Sequence, residues 1–153
     1  MAGMRLLRRL RGERGAELIE TALTLPLILL VAVGIIEFGF VFQKYEVITN
    51  AAREGARVYV LPNFSATDAQ TRVNQYLTAA GLDPAVATVP VPAAPASEAL
   101  GGTCIWTVTV TVGYPHSSPF FAGIGNYFGK SFGTYTLHAT SKMRREVPAG
   151  ACP

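Results

Sequence analysis

The sequence predicts an α+β fold in which one long N-terminal helix crosses a membrane and continues into a domain with a second short helix and a small antiparallel sheet. Two observations lead to this prediction. The apolar residues are concentrated in one block near the N-terminus, and two later stretches alternate apolar and polar residues as β-strands do. We expect three segments: a basic segment at 1–15, the long helix at 16–60 with its membrane span at about 18–42, and the exported α+β domain at 61–153.

The apolar block is long enough to cross a bilayer. Ala22–Phe42 contains 21 residues with a single charge, Glu37. As a helix it would extend about 32 Å, against a hydrocarbon core of about 30 Å. A cleavable secretory signal has a shorter apolar region of about 7–15 residues. A chain of 153 residues could hardly surround such a helix on all sides, so the pattern favours membrane insertion over a buried core helix.

The charge of the chain is divided between a basic tail and a nearly neutral remainder. Residues 1–15 hold five arginines and one acid, whereas residues 16–153 hold eight basic and nine acidic residues. A nucleic-acid-binding protein needs a basic face on its folded part, so we expect no nucleic-acid partner. The basic flank predicts that the N-terminus stays in the cytoplasm and that the C-terminal domain lies outside, in a single-pass arrangement.

Two residues inside the predicted helix are unusual for a membrane span. Pro26 cannot donate a hydrogen bond to the carbonyl of Ala22, which predicts either a kink or a proline that the membrane helix tolerates. Glu37 lies near the outer end of the span. It is expected either to reach the solvated interface or to contact a neighbouring chain, because a carboxylate within lipid is costly.

Beyond the apolar block the helix pattern becomes amphipathic and contains small residues at four-residue spacing. These candidate helix contacts are Ala51, Ala52, Gly55 and Ala56. Small residues at this spacing allow another element to approach closely. The partner is either the chain's own sheet or a helix of another subunit, and the sequence leaves both open.

A third carboxylate, Glu20, stands at the inner edge of the apolar block. A charged carboxylate deep in a bilayer costs about 2.5–3.5 kcal/mol and usually has a partner. A basic segment that ends in Gly15, followed by Ala16 and then by Glu20 five residues after the glycine, resembles the class III signal of type IV pilins and pseudopilins. Residues 11–27, 34–39 and 49–57 together resemble the TadE-type pseudopilins of the tight-adherence (Flp, type IVc) pilus system. This resemblance covers about residues 11–60.

The resemblance implies a pilin-like arrangement and a leader that a membrane aspartyl prepilin peptidase removes by cutting between Gly15 and Ala16. Glu20 would become the fifth residue of the mature chain and would neutralise the new N-terminal amine of a neighbouring subunit. This role agrees with the need of a buried carboxylate for a cation. The alternative is a Glu20 that is solvated at the level of the lipid headgroups.

The resemblance also implies a function and a location. The chain would be a minor pilin or pseudopilin that takes part in the initiation, priming or tip of a tight-adherence pilus, for adhesion and biofilm formation. Its partners would be the prepilin peptidase, other minor pilins, the major Flp-type pilin, the inner-membrane assembly platform and membrane lipid. It would reside in the bacterial inner membrane and enter the extracellular pilus. The rival interpretation is an uncleaved single-pass protein whose outer domain binds a ligand.

The sequence predicts the order of secondary-structure elements in the exported domain. Ser65 and Asp68 resemble a capping box that starts a second helix, which Gly81 and Pro84 end. The sequence predicts a short strand at 85–91, a loop at 92–103, and clear strands at 104–114 and 134–146. Residues 115–133 are rich in aromatics and glycine, and are either a lid over the sheet or an exposed contact patch.

The two cysteines, Cys104 and Cys152, lie beyond the membrane block. An even number of cysteines in an exported domain favours a disulfide. If the last two strands pair antiparallel, the start of one lies near the end of the other, so a Cys104–Cys152 bond is geometrically reasonable. It would stabilise the domain by about 4 kcal/mol in the chain-entropy estimate. The rival is a pair of free thiols.

The sequence contains no recognisable arrangement of catalytic residues. His116 and His138 are isolated, and no nucleophile and base occur at a telling spacing. The glycine-rich pieces do not follow a strand with the spacing of a phosphate loop. We therefore predict that the chain is not an enzyme and has no cofactor and no metal site.

Overall fold

The computed structural model describes residues 14–100, 103–127, 129 and 134–145. In these residues the helices are α1 (Arg14–Val60), α2 (Ala66–Ala79) and α3 (Pro119–Tyr127), and the strands are β1 (Ala96–Leu100), β2 (Thr103–Ser117) and β3 (Thr134–Arg145). The predicted α+β class, with a long apolar helix, a second short helix and a small antiparallel sheet, is confirmed. The chain divides after Gly39 into an N-terminal unit and a C-terminal unit that starts at Phe40.

The described residues of the N-terminal unit form the first part of α1, which continues through Pro26. Its large apolar side chains point outward, with Leu23, Leu27 and Ile35 each more than 60% exposed. A helix that exposes apolar side chains on all sides suits a lipid environment and not water. In the part of the chain that the structure describes, α1 is the one helix long and apolar enough to span a membrane.

The sheet of the C-terminal unit has the order β1-β2-β3 with antiparallel pairing throughout. In β2, Val108, Val110 and Val112 are fully buried and alternate with more exposed threonines. Each of these valines faces a β3 residue on the same side of the sheet, for example Val112 opposite Ala139. The period-two pattern that predicted both strands is therefore confirmed, and it places one apolar face of the sheet against the helices.

The core of the C-terminal unit lies between this sheet face, α2 and the second part of α1. Ile48 and Tyr59 come from α1, and Val73 and Leu77 come from α2. Gly55 marks the closest approach, because a Cβ atom added there would lie 2.5 Å from Val73 Cγ2 and 3.3 Å from Val110 Cγ1. Only a residue without a side chain allows α2 and β2 to reach α1 at this point.

The predicted start of the second helix is confirmed. The Ser65 hydroxyl accepts a hydrogen bond from the Asp68 amide at 3.2 Å, and the Asp68 carboxylate accepts one from the Ser65 amide at 2.8 Å. These reciprocal bonds form a capping box that satisfies two amides at the helix start. At the other end, Gly81 adopts a φ of +77°, as glycine does after many helices.

Two predictions for the segment between α2 and β2 are wrong. Residues 85–91 do not form a strand, since their pairing is reduced to one bridge between Thr88 and Gly113. Pro90 and Pro92 explain the difference, because proline cannot donate to a strand ladder. Residues 92–103 are not entirely a loop, because β1 (Ala96–Leu100) pairs with the start of β2.

Residues 115–133 contain the end of β2 and the short helix α3. Phe128 and residues 130–133 lie outside the described residues, as do the side chains of Phe121 and Ile124. Of the aromatic residues that are described on α3, Phe120 is 39% exposed and Tyr127 is 86% exposed. Tyr127 does not form part of a lid over the sheet, because a lid residue buries its side chain.

Candidate processing and assembly site

The predicted cleavage site lies at the start of α1. Gly15, Ala16 and Glu20 all belong to the helix, and the side chain of Glu20 is exposed. Ala16 and Glu20 are four residues apart, so they lie on the same helix face, separated by about one turn. Residues 1–13, which hold most of the predicted basic leader, are outside the described residues.

The threonine hydroxyls around Glu20 form hydrogen bonds within the helix. The Thr21 hydroxyl donates to the carbonyl of Glu17 at 2.8 Å, and the Thr24 hydroxyl donates to the carbonyl of Glu20 at 2.9 Å. Threonine is tolerated in a membrane helix because of such bonds to the preceding turn. Glu20 forms no ion pair with any residue that the structure describes.

Glu37 lies in a different environment from Glu20. It is only 7% exposed, whereas Ile36 and Phe38 on either side are more than half exposed. Solvation of Glu37 at the membrane interface is not tested by this burial. The contact of Glu37 with another subunit stays a prediction.

The small residues of α1 are placed inside the C-terminal unit. Ala51, Ala52 and Ala56 are at most 1% exposed, and Gly55 is also buried. Gly55 lies against Val73 of α2 and Val110 of β2. Of the two alternatives for this face, packing on the chain's own elements is therefore the one present in the structure.

The opposite face of α1 carries a charged surface that the sequence reasoning did not single out. An open groove of about 440 Å³ is lined by Asn50, Arg53, Glu54, Arg57, Tyr76 and Met143. Glu54 accepts hydrogen bonds from Arg57 at 3.3 Å and from Arg72 at 3.4 Å. Arg53 is exposed and forms no ion pair with a described residue. The spacing of Arg53, Glu54 and Arg57 could have predicted a charged surface on this helix. The contribution of Arg72 could not be predicted from the sequence, because this residue belongs to α2.

The two histidines lie apart in the sheet. His116 is buried at the end of β2, with its ring edge-on to Tyr135 at a centroid distance of 5.3 Å, whereas His138 is exposed on β3. Within the described residues, no three side chains of the histidine, cysteine, aspartate and glutamate types form a group that could hold a metal ion.

One cysteine of the predicted disulfide lies among the described residues. Cys104 lies near the start of β2, and its proposed partner Cys152 is outside the described residues. The Cys104–Cys152 bond therefore stays a prediction.

Comparison with known proteins gives one match. The model of the family described as TadE-like protein matches residues 15–57. A search of curated proteins found no match, and a search of solved structures found none either. Members of the TadE-like family are structural components of the pilus, and the family is not a known family of enzymes.

The family match and the apolar helix support each other. The matched segment contains the whole exposed apolar part of α1, which indicates a membrane-anchored protein. The matched family is one of the Tad pilus system. Residues 15–57 of this chain match the model of the TadE-like family, in agreement with the resemblance seen in the sequence.

Proposed function

We propose that the chain is a minor pilin or pseudopilin that a prepilin peptidase cleaves after Gly15 and that takes part in the initiation, priming or tip of a tight-adherence pilus. The observation that carries the proposal is the TadE-like match, which starts at Gly15 and extends over the exposed apolar helix. In this role the chain is a structural subunit and not an enzyme.

The proposed orientation follows from the arginines before the span. They keep the N-terminus in the cytoplasm, so the C-terminal unit lies on the outer side of the inner membrane. Gly15 and Ala16 then lie at the cytoplasmic edge of the bilayer, where a membrane peptidase can reach them. The leader must remain on that side until it is removed.

Cleavage changes the electrostatics of the helix start. It creates an α-amine on Ala16, which is cationic at neutral pH because its ordinary pKa is about 7.7–8.0. Glu20 lies on the same face about 6 Å farther along the helix axis, so amine and carboxylate differ in depth by about one helical turn. When the helix moves into the low-dielectric interior of a filament, the carboxylate needs a cation. The amine of a neighbouring subunit supplies it.

The remaining partners follow from this route. The prepilin peptidase acts first, the inner-membrane assembly platform receives the mature chain, and other minor pilins and the major Flp-type pilin pack against its helix. The exposed apolar side chains between Leu18 and Phe42 contact lipid before assembly and neighbouring helices after it.

The test is the intact mass of the chain purified from membranes with and without its cognate prepilin peptidase. We expect loss of residues 1–15 only when the peptidase is present, and a full-length chain for Gly15→Ala. A full-length chain under every condition contradicts the proposal and leaves the uncleaved anchored binding protein.

A second comparison separates processing from assembly. Glu20→Gln should be cleaved as the wild type is, but should fail to join the filament, since it cannot neutralise an amine. The matched control is Glu17→Gln, which removes a carboxylate about one turn before Glu20 and should assemble. Equal assembly of the two variants would contradict the pairing role of Glu20.

A further inference from the structure

The open groove beside α1, here called the Arg53 groove, has walls from three elements of the C-terminal unit. It is lined by Asn50, Arg53, Glu54, Arg57, Tyr76 and Met143. The polar residues come from α1, whereas Tyr76 comes from α2 and Met143 from β3. Both Tyr76 and Met143 are partly buried and pack against the core. The core therefore fixes the shape of this groove, whose volume is about 440 Å³.

Three polar side chains in the Arg53 groove are not used by the fold. Arg53 is exposed. Within the part of the chain that the structure describes, its guanidinium, the Asn50 side-chain amide and the Tyr76 hydroxyl form no hydrogen bond or ion pair. A guanidinium presents five N–H donors in a planar fork. These groups can therefore bind a ligand without breaking a contact of the described fold.

The groove has an excess of positive charge. Arg53, Arg57 and Arg72 carry three positive charges beside the one negative charge of Glu54. The Glu54 carboxylate lies 3.3 Å from the Arg57 guanidinium and 3.4 Å from that of Arg72. Because both arginines are exposed, these ion pairs are weak. Two of the three positive charges remain uncompensated by Glu54, and an acidic ligand would complement them.

The groove also continues along α1. A neighbouring groove shares Asn50 and Arg53 with it and extends to Tyr45 and Glu46. From Tyr45 to Arg57 the helix rises about 18 Å, which is the length of a helix of about 12 residues. A small anion would fill only a fraction of this length, and a nucleic acid, anionic throughout, would meet Glu46 about 10 Å from Arg53. A long site with charges of both signs suits a protein segment.

We propose that the Arg53 groove binds an acidic segment of a protein partner, with a carboxylate of that segment on Arg53 and an adjoining apolar side chain on Tyr76 and Met143. The guanidinium fork matches a carboxylate and can form two parallel hydrogen bonds with it. Arginine, tyrosine and methionine are also enriched in protein interfaces relative to the rest of the surface. A second copy of this chain fits less well, because a two-fold contact centred on Arg53 brings two guanidiniums together.

The experiment selects ligands from a displayed library of random peptides of about 12 residues, with the full chain in detergent micelles as the target. A labelled copy of the selected peptide then gives the Kd by fluorescence anisotropy. Arg53→Glu reverses the charge in the groove. The matched control is Arg144→Glu, which makes the same change at an exposed position of β3 that does not line the groove. Neither measurement uses the pilus, so the result is independent of the proposed function.

We expect the selected peptides to be enriched in aspartate or glutamate next to an apolar residue. Arg53→Glu should raise the Kd at least about tenfold, whereas Arg144→Glu should change it by less than about twofold. A peptide with lysine in place of its acidic residue should restore binding to Arg53→Glu. Arg53→Gln repeats the measurement if the charge reversal alters the circular dichroism of the chain.

The selection and the two variants can each overturn the proposal. If no peptide is selected, or if the selected peptides lack acidic residues, the groove does not bind an acidic segment. Equal weakening by Arg53→Glu and Arg144→Glu would show that the peptide follows the net charge of the chain. Self-association of the full chain that Arg53→Glu abolishes, and with which the acidic peptide does not compete, would assign the groove to a second copy.

Discussion

The two parts of α1 use apolar side chains in opposite ways. Before Gly39 the helix exposes them, as Ile36 and Leu27 do, whereas after Phe40 it buries Ile48 and surrounds it with α2 and the sheet. Both parts belong to one continuous helix. Hydrophobicity alone therefore does not distinguish a membrane anchor from a protein core. The residues that surround each side chain make this distinction.

The largest effect that tests this comparison comes from isoleucine truncation on the same helix. Ile48→Ala should lower the free energy of unfolding of the C-terminal unit by about 3 kcal/mol, because it leaves a cavity at a fully buried position. Ile36→Ala, at an exposed position, should leave that free energy unchanged. Thermal unfolding of the full chain in detergent, followed through Trp106 fluorescence, measures both. Equal losses would show that the two parts of α1 are not distinct.

Substitution of glycine should change the free energy of unfolding less, and it tests the same difference between the two parts of α1. A Cβ atom on Gly55 would lie 2.5 Å from Val73 Cγ2 and 3.2 Å from the Ala69 carbonyl oxygen, whereas one on Gly39 would meet nothing within 4 Å. Gly55→Ala should cost about 1–2 kcal/mol by overpacking, after the gain in helix propensity is included. Gly39→Ala should cost nothing. The same unfolding measurement tests both variants. An unchanged free energy of unfolding for Gly55→Ala would mean that α2 shifts away from α1 without destabilising the fold.

The smallest effect concerns the start of α2, which lies entirely in the C-terminal unit. Ser65→Ala should cost about 1 kcal/mol, because the cap hydroxyl is lost. The side-chain and backbone hydrogen bonds from Ser65 lower the pKa of Asp68 below its ordinary value of 3.8. The ionised carboxylate is therefore favoured in the folded state, and its contribution is complete above pH 3.8 and is lost as the pH falls through the lower folded-state pKa.

Asp68→Asn separates this contribution from the general acid sensitivity of the chain. The variant should lose the part of the pH dependence below pH 4 that Asp68 supplies, while Asp83→Asn, at a residue outside α2, should retain it. Parallel stability curves for the wild type and Asp68→Asn between pH 2 and 5 would contradict the capping role.

The sequence predicted those elements whose pattern is local and strong. The alternation along β2 and β3 and the capping box of α2 needed no knowledge of their neighbours, and the long apolar block was recognisable from its composition. The short strand β1 was not predictable in this way. Its sequence, Ala96-Ser97-Glu98-Ala99-Leu100, has low strand propensity. This segment becomes a strand because it pairs with the edge of β2.

The residues with a proposed function divide in the same way, into those with a local sequence motif and those whose neighbours come from elsewhere in the chain. The positions of Gly15, Ala16 and Glu20 could be read from a short motif, whereas the neighbours of the small residues on α1 could not. Spacing showed that Gly55 permits a close approach, but only the packing of Val73 and Val110 against it shows which elements approach. Arg72 likewise reaches Glu54 from another helix, 18 residues farther along the chain.

The continuity of α1 determines how the C-terminal unit bears a mechanical load. A pull on the membrane end of α1 reaches Ile48 and Tyr59 through unbroken helix, without a loop that could extend first. Because β2 lies along α1, with contacts at Gly55 and Lys44, such a pull shears these contacts together and does not peel them one by one. Under such a pull, α1 can leave the C-terminal unit only if these core contacts break.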